Sequence, residues 1–365
     1  MPPLPAGTRN QLRLIAWEVT RSCGLRCLHC RASAQQGPYT GELTTAECER
    51  VLDGIAAFAR PIVILTGGEP MLRDDIYHLA EYGTRLGLRM VMAPCGALLT
   101  KETCSALIKA GIRRISLSID GADVQRHDRF RGVAGAFESV MRGIAAARSA
   151  GLEFQVNTTI TKMNVDQLPA IFDLAASLGA VSFHPFMLVP TGRGSALADE
   201  GLTPSEYEQV LNWIYDHRSL AGMSVKPTCA PHYYRILRQR ERLAGRTVAP
   251  ETHGLDAMTK GCLGGQGFAF ISHKGIMQIC GFLDLPAGDL RQAGFAVQQL
   301  WENSPLFRAV RDPDGYRGRC GKCDFRKVCG GCRARAFAAT GDYLAEEPYC
   351  AYGPPDNARQ GRVNG

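Results

Sequence analysis

The chain has 365 residues, 45% hydrophobic and 21% charged, enough for a large core plus a second module and ordinary for a globular protein rather than a disordered or fibrous one. Its formal net charge of +7 suits an anionic ligand, but Lys and Arg are scattered rather than gathered in a stripe, which speaks against nucleic-acid binding. The N-terminal residues 1–11 carry no apolar run of the secretory kind and are expected to be flexible. No stretch approaches the roughly eighteen uncharged apolar residues of a membrane span, so the expected setting is cytoplasmic, with no membrane partner.

From residue 12 to 217, short β-rich runs alternate with amphipathic stretches. Strands are expected at "LIAWEVT" (14–20), "PIVILT" (61–66), "LRMVMA" (88–93), "RISLSI" (114–119), "EFQVNTTI" (153–160) and "VSFHPFMLV" (181–189). A helical pattern follows each of them, as in "TAECERVLDGIAAFA" and "AFESVMRGIAAARSAG". Strand–helix alternation predicts an α/β fold with parallel βα units, and continuous apolar strands predict a sheet covered on both faces. Functional groups in such folds gather at the C-terminal ends of strands. The segments that follow strands one, two and four, "TRSCGLRCLHCRAS", "TGGEP" and "DG" (120–121), should therefore meet on one rim. Residues 218–260 read as a connector without clear alternation, 261–353 as a small Gly- and Cys-rich domain held by metal, and 354–365 as a disordered tail.

Fourteen cysteines in a chain of this length, clustered towards both ends, read as metal or redox sites in a reducing compartment rather than a disulfide scaffold. Cys23, Cys27 and Cys30 lie within eight positions. Thiolates favour zinc or iron–sulfur clusters, and a structural zinc site closes with four protein ligands. His29 is a fourth candidate, but it stands directly between two ligands. The other reading is a site with one metal position left for a ligand from outside. Cys48 and Cys104, inside expected helices, read as small buried hydrophobes.

Cys-x3-Cys-x2-Cys after a first strand, followed one strand later by Gly67-Gly68-Glu69-Pro70, resembles the radical S-adenosylmethionine enzymes. The resemblance implies a partial (βα)6 barrel and a 4Fe–4S cluster on the three cysteines. One iron is left open to the amino and carboxylate groups of S-adenosylmethionine, which is cleaved to a 5′-deoxyadenosyl radical. It implies that Gly67, Gly68, Glu69 and Pro70 meet the methionine amine, that Ser118 and Asp120 contact the ribose, and that Arg131 meets the methionine carboxylate. Asn157 joins this cofactor-binding set; the plain alternative for these residues is a cap or turn role. Relatives often carry Asn where this chain has Cys95 in "APCGALL", which puts any polar role of that amide in doubt.

The C-terminal cysteines, Cys262, Cys280, Cys320, Cys323, Cys329, Cys332 and Cys350, resemble a SPASM (or twitch) domain, with two rather than three residues between Cys329 and Cys332. The resemblance implies two auxiliary 4Fe–4S clusters. One is held by Cys320, Cys323, Cys329 and Cys350, the other by Cys262, Cys280 and Cys332, with Cys229 as candidate fourth ligand. Zinc ribbons are the simpler alternative. Longer stretches such as "LVPTGRG", "KPTCAPHYYRI" and "CGGCRARAFAATGDYLAEEPYC" are similar to the radical S-adenosylmethionine haem b synthases. That implies oxidative decarboxylation of two propionates of iron-coproporphyrin III to vinyls, with the clusters taking the electrons. It also implies a donor such as flavodoxin or ferredoxin and a monomer. A flat polyanion calls for arginines and aromatic walls, so Arg193, His184, His232, Tyr233 and Arg235 are the substrate candidates, His232 also for the porphyrin iron. The plain reading of "HYYRILRQR" is a helix with a solvated basic face. The rivals are another SPASM-type oxidation (peptide maturation or a haem d1-type tetrapyrrole) and a non-catalytic iron–sulfur electron carrier.

Overall fold

The structure is a computed structural model, and residues 10–218, 222–253 and 260–353 are described. Most of the expected flexible N-terminus (1–9 of 1–11) and the expected tail (354–365) lie outside the described residues. Six strands fall where the apolar runs predict them: β1 (Leu14–Thr20), β2 (Ile62–Gly67), β3 (Arg89–Met92), β4 (Arg114–Ser118), β5 (Glu153–Ile160) and β6 (Ser182–Met187). Helices α1 (Thr45–Phe58), α2 (Ile76–Arg85), α3 (Lys101–Lys109), α4 (Val124–Arg131), α5 (Ala136–Ala150), α6 (Leu168–Ser177) and α7 (Pro204–His217) follow them in βα order. Thr44 and Thr203 each begin a helix with a capping box, reciprocated by Glu47 and Glu206, which satisfies N–H groups the first turn leaves open.

All six strands pair in parallel. The side chains of Ile15, Trp17, Val63, Leu65, Ile115, Leu117, Val156 and Phe183 are 0% exposed, on the sheet face that the helices cover. Burial of each such side chain contributes roughly 1.5–3 kcal/mol before entropy. Alternate residues, among them Ser116, Ser118, Gln155, Asn157 and His184, are only partly buried and line the concave face. The period of two thus divides a packed wall from a polar lumen.

Four short strands extend this sheet. β7 (Ser224–Val225) lies in the expected connector and pairs in parallel with β6. After it come α8 (His232–Leu243) and α9 (Pro250–His253). The cysteine-rich region then supplies β8 (Phe268–Ile271), paired in parallel with β1 from Leu14↔Phe268 to Trp17↔Ile271. β9 (Ile276–Gln278) adds antiparallel to β8, and β10 (Gly288–Asp289) adds antiparallel to β9. The sheet has ten strands in the order β10-β9-β8-β1-β2-β3-β4-β5-β6-β7. The apolar run at 295–311 forms two helices, α10 (Val297–Asn303) and α11 (Pro305–Arg311). They divide at an extended Ser304, because Pro305 can begin a helix but not continue one. Two short helices, α12 (Gly318–Lys322) and α13 (Arg333–Thr340), complete the described chain. No described helix is long and apolar enough to cross a membrane.

Candidate functional site

Cys23, Cys27 and Cys30 leave the C-terminal end of β1 on an irregular loop. Backbone N–H groups of Leu25 and Ala34 donate to the Cys23 and Cys30 sulfurs, both at 3.4 Å, and Arg131 Nη1 reaches Cys27 Sγ at 3.7 Å. Each sulfur therefore has a donor aimed at it, as ligating thiolates require. Burial pushes the Cys23 thiol up to about 11 and raises Cys27 as well. Both therefore need the positive charge of a metal cluster to stay ionised, and a 4Fe–4S cluster fits the three. Among the described residues, no group of His, Cys, Asp or Glu is arranged to hold a single metal ion. His29, the fourth ligand of the zinc reading, packs against Phe130 with ring centroids 4.8 Å apart. The loop is strapped from outside: Arg26 and Leu28 N–H donate to the carbonyls of Arg131 and Phe130. Arg193, read as a substrate residue, donates to the Cys27 carbonyl at 2.9 Å and the Ala34 carbonyl at 2.6 Å.

The Gly67–Pro70 segment lies directly against this loop. Gly68 and Glu69 N–H donate to the Thr20 and Ser22 carbonyls at 2.9 and 2.8 Å. A Cβ on Gly67 (φ +146°) would stand 2.0 Å from the Thr20 oxygen, and one on Gly68 2.3 Å from that of Ser22. The two glycines are thus needed for contact with the cysteine loop's own backbone. Glu69 is 2% exposed, and its two carboxylate oxygens accept from Met71 N (2.9 Å) and Cys95 N (2.6 Å). Burial raises its pKa against the lowering effect of these hydrogen bonds, and a cationic ligand there would favour its charged form. The bond from Cys95 comes from the main chain, so the Cys that stands where relatives often carry Asn keeps it. Pro70 is buried and begins the 3-10 turn Pro70–Leu72.

Asp120, 1% exposed after β4, pairs with Arg131 Nη2 at 2.5 Å and accepts from Thr159 N at 2.7 Å. Burial alone would raise its pKa, but Arg131 and the two neighbouring histidines outweigh that and lower it. Arg131 thus bridges Asp120 at the end of β4 and Cys27 of the first cysteine set. Ser118 shares the wall of a cavity with Leu25, Cys95 and Arg131. Asn157 and His184 are register partners on β5 and β6, and Gln155 Nε2 donates to Asn157 at 2.9 Å and lies 3.3 Å from His184 Nδ1. Burial lowers the His184 pKa to about 3, so the ring is neutral at pH 7.

Glu18, a lone carboxylate in an apolar strand, was not among the expected site residues. It is 0% exposed and pairs with Arg31 (2.9 Å), Arg21 (3.0 Å) and His273 (2.6 Å). Burial would raise its pKa, yet Arg31, His273 and Arg21 together hold it at about 2. Arg31 follows Cys30 directly, lies 4.3 Å over the Phe270 ring, and sits beside Gly281, the neighbour of Cys280. It therefore stands between the first and second cysteine sets.

The later cysteines form two groups. Cys320, Cys323, Cys329 and Cys350 line one cavity, together with His232 and Arg235. N–H groups of Glu347, Phe325 and Gly331 point at Cys320, Cys323 and Cys329 at 3.3, 3.4 and 3.4 Å. Cys229, Cys262, Cys280 and Cys332 make up the second group, close enough to perturb one another electrostatically. Cys229 takes a left-handed φ of +53°, unusual for a residue with a side chain. Arg335, 1% exposed, holds its carbonyl at 2.7 Å and pairs with Glu347 at 2.9 Å. Glu347 in turn accepts from Cys332 N at 2.6 Å and donates its own N–H to Cys320 of the other group at 3.3 Å, so one buried ion pair joins both groups. Neither member was singled out among the expected site residues. Arg235 is bound by Glu208 and Gln239, and Tyr233 is 0% exposed in the core. The start of α8 is buried, not a solvated basic face.

The family described as the Radical SAM superfamily matches residues 17–175. An AdoMet-dependent heme synthase of Nitratidesulfovibrio vulgaris is 52% identical over 342 residues, covering 94% of this chain and 93% of the relative. Another, from Methanosarcina barkeri, is 50% identical over 345 residues, covering 94% and 98%. The crystal structure of Streptococcus suis SuiB bound to S-adenosylmethionine shares the fold at a TM-score of 0.70 and 17% identity, over 94% of this chain and 78% of that one. With three donor-tipped cysteines at a barrel rim and Glu69 beside them, the chain belongs to the Radical SAM superfamily, as an enzyme of S-adenosylmethionine and a 4Fe–4S cluster in the family of the AdoMet-dependent heme synthases.

Proposed function

We propose that this chain makes haem b from iron-coproporphyrin III by oxidative decarboxylation of two propionates. The observation that carries the reading is identity of 50–52% along 94% of the chain to proteins named AdoMet-dependent heme synthase. Cys23, Cys27 and Cys30 would hold the cluster, which with S-adenosylmethionine would supply a 5′-deoxyadenosyl radical able to take one hydrogen atom from a propionate β-carbon. The Cα–carboxylate bond of that propionate then breaks, its carboxylate leaves as carbon dioxide, its two remaining carbons form the vinyl group, and one electron per propionate must depart.

The residues of the chain position these events. Glu69 receives the methionine ammonium, the Asp120–Arg131 pair holds Cys27 and the cofactor's polar edge, and Ser118 and Asn157 face the cofactor from the lumen. His184 presents a neutral ring to the macrocycle, and Arg31 stands where a propionate would lie between the two cysteine sets. Cys320, Cys323, Cys329 and Cys350 would hold one auxiliary 4Fe–4S cluster and Cys262, Cys280, Cys332 and Cys229 another, and such clusters would offer the electron an exit. The donor cavity and the aimed N–H groups support that assignment. We take 12–217 as the barrel, 218–260 as the connector and 261–353 as the iron–sulfur domain. The chain is proposed to work as a monomer in the cytoplasm with flavodoxin or ferredoxin as reductant.

The test is anaerobic incubation of reduced enzyme with S-adenosylmethionine and iron-coproporphyrin III, read by mass spectrometry. Two successive losses of carbon dioxide and two hydrogens are expected, with 5′-deoxyadenosine formed alongside. Formation of 5′-deoxyadenosine without a porphyrin product would keep the family and remove the substrate.

A further inference from the structure

We infer that His232 is a positioning residue for the auxiliary cluster of the Cys320 cavity, donating a ring N–H to one of its sulfurs and raising its reduction potential. The inference rests on the auxiliary-cluster reading above.

His232 begins α8 and lines the cavity shared by Cys320, Cys323, Cys329 and Cys350. It is 1% exposed, and neither ring nitrogen has a hydrogen-bond partner among the described residues. Glu347 Oε2 lies 4.0 Å from Nε2, too far for a hydrogen bond, and already accepts from Cys332 N at 2.6 Å. Tyr207 meets the ring edge-on at 4.8 Å, but its hydroxyl donates to the Cys229 carbonyl at 3.0 Å.

An imidazole carries at least one N–H in either protonation state, and a buried donor without an acceptor is a rare and costly arrangement. The thiolates and sulfides of a cluster in this cavity are the acceptors the ring lacks. The surrounding chain follows the same plan, since Glu347, Phe325 and Gly331 N–H groups already point at three of the four cysteine sulfurs. Arg333 Nη2 adds a fourth donor, 3.7 Å from Cys320 Sγ.

Hydrogen bonds to sulfur favour the more negative, reduced cluster and so raise its potential. Reduction adds one electron, from the substrate radical in turnover or from dithionite in the test. No bond to His232 is made or broken, and its proton stays on the ring.

The test compares the iron–sulfur-loaded chain with His232→Phe and His232→Gln. Iron and sulfide are counted, and each cluster's midpoint potential is followed by electron paramagnetic resonance during dithionite titration. The relevant signal is identified by its loss in Cys320→Ser/Cys323→Ser. Expected are unchanged iron, a shift to more negative potential in His232→Phe, and partial return in His232→Gln, whose amide restores a donor. An unshifted potential at full iron content overturns the role of His232 and leaves the cluster reading intact. Full iron in Cys320→Ser/Cys323→Ser overturns that reading and the inference with it. If His232→Phe loses the cluster, the unsubstituted chain with 15N-labelled histidine decides. A weak nitrogen hyperfine coupling to the reduced cluster supports the assignment. No coupling, or the strong coupling of a directly bonded nitrogen, overturns it.

Discussion

His273 Nδ1 lies 2.6 Å from Glu18 Oε1, joining residues 255 positions apart. The contact links the first strand to the loop between β8 and β9, and Arg31 draws the cysteine loop into the same network. Its pH dependence follows from Glu18, which titrates at about 2 in the fold against 4.5 for a free glutamate. Above pH 4.5 the carboxylate is ionised in both states and the stabilisation is complete. As pH falls from 4.5 towards 2, the unfolded chain takes up a proton that the folded one refuses, and about 3 kcal/mol is lost. Urea unfolding of the chain should show this loss only below pH 4.5. Glu18→Gln should be less stable at pH 7 and less sensitive to acid. Its cost should lie near the low end of the roughly 3–5 kcal/mol for breaking a buried pair, because Arg21 and Arg31 keep 32% and 18% of their side chains in solvent.

Arg131 is shared between Asp120 at 2.5 Å and Cys27 at 3.7 Å. Arg131→Met should strip the donor from one ligating sulfur and leave Asp120 a buried, unpaired acid. Loss of partners of this kind weakens metal affinity or activity roughly 10–100-fold. The measurement is 5′-deoxyadenosine formed per iron retained, and a variant within twofold of the parent would show that Arg131 does not act on the cluster.

Gly68→Ala should fail for a geometric reason, since its Cβ would stand 2.3 Å from the Ser22 oxygen and 2.6 Å from that of Arg21. Both are backbone atoms and cannot swing aside. The overpacking cost is roughly 1–3 kcal/mol, with the cysteine loop displaced from Glu69. S-adenosylmethionine affinity, read by calorimetry on the reconstituted protein, should fall while the far-ultraviolet spectrum stays that of the parent.

Cys229→Ser tests the fourth ligand of the Cys262 group. The chain should lose about four irons, as Cys332→Ser does, while the signal tied to Cys320 persists. Full iron in Cys229→Ser with loss in Cys332→Ser would mean that the position opposite Cys229 is open.

Much of this was legible in the chain because the signals are local. "PIVIL" and "EFQVNTTI" reach β2 and β5 almost residue for residue, since burial on one or both faces imprints a short-range pattern. The cysteine spacing is local as well, and Cys48 and Cys104 are 0% exposed as small hydrophobes. What escaped depends on folding distant segments together. Arg335 gains meaning only when the ends of β6 and of the connector reach it, through Leu188 and Cys229. Arg193 is a residue type suited to a carboxylate, but the fold places it beside carbonyls of the cysteine loop. Glu18 did leave a trace, since a carboxylate in "LIAWEVT" must find cations if the strand is buried. Its partners could not be named without the topology. β7 spans two residues, too few for any period to show, and β8, as short as β3, follows "GCLGGQG" rather than a helix, so no strand–helix alternation marks it.

The pairing of β8 with β1 bears on how the protein can be handled. A truncated radical-generating half, ended near residue 260, would leave Leu14–Trp17 as a bare, largely apolar edge of the kind that recruits neighbouring chains into aggregates. The cysteine-rich half, expressed alone, would lack the strand on which β8 is templated. The two halves are stitched by main-chain bonds, so a chimera that exchanges one of them must carry β8 along with its host sheet.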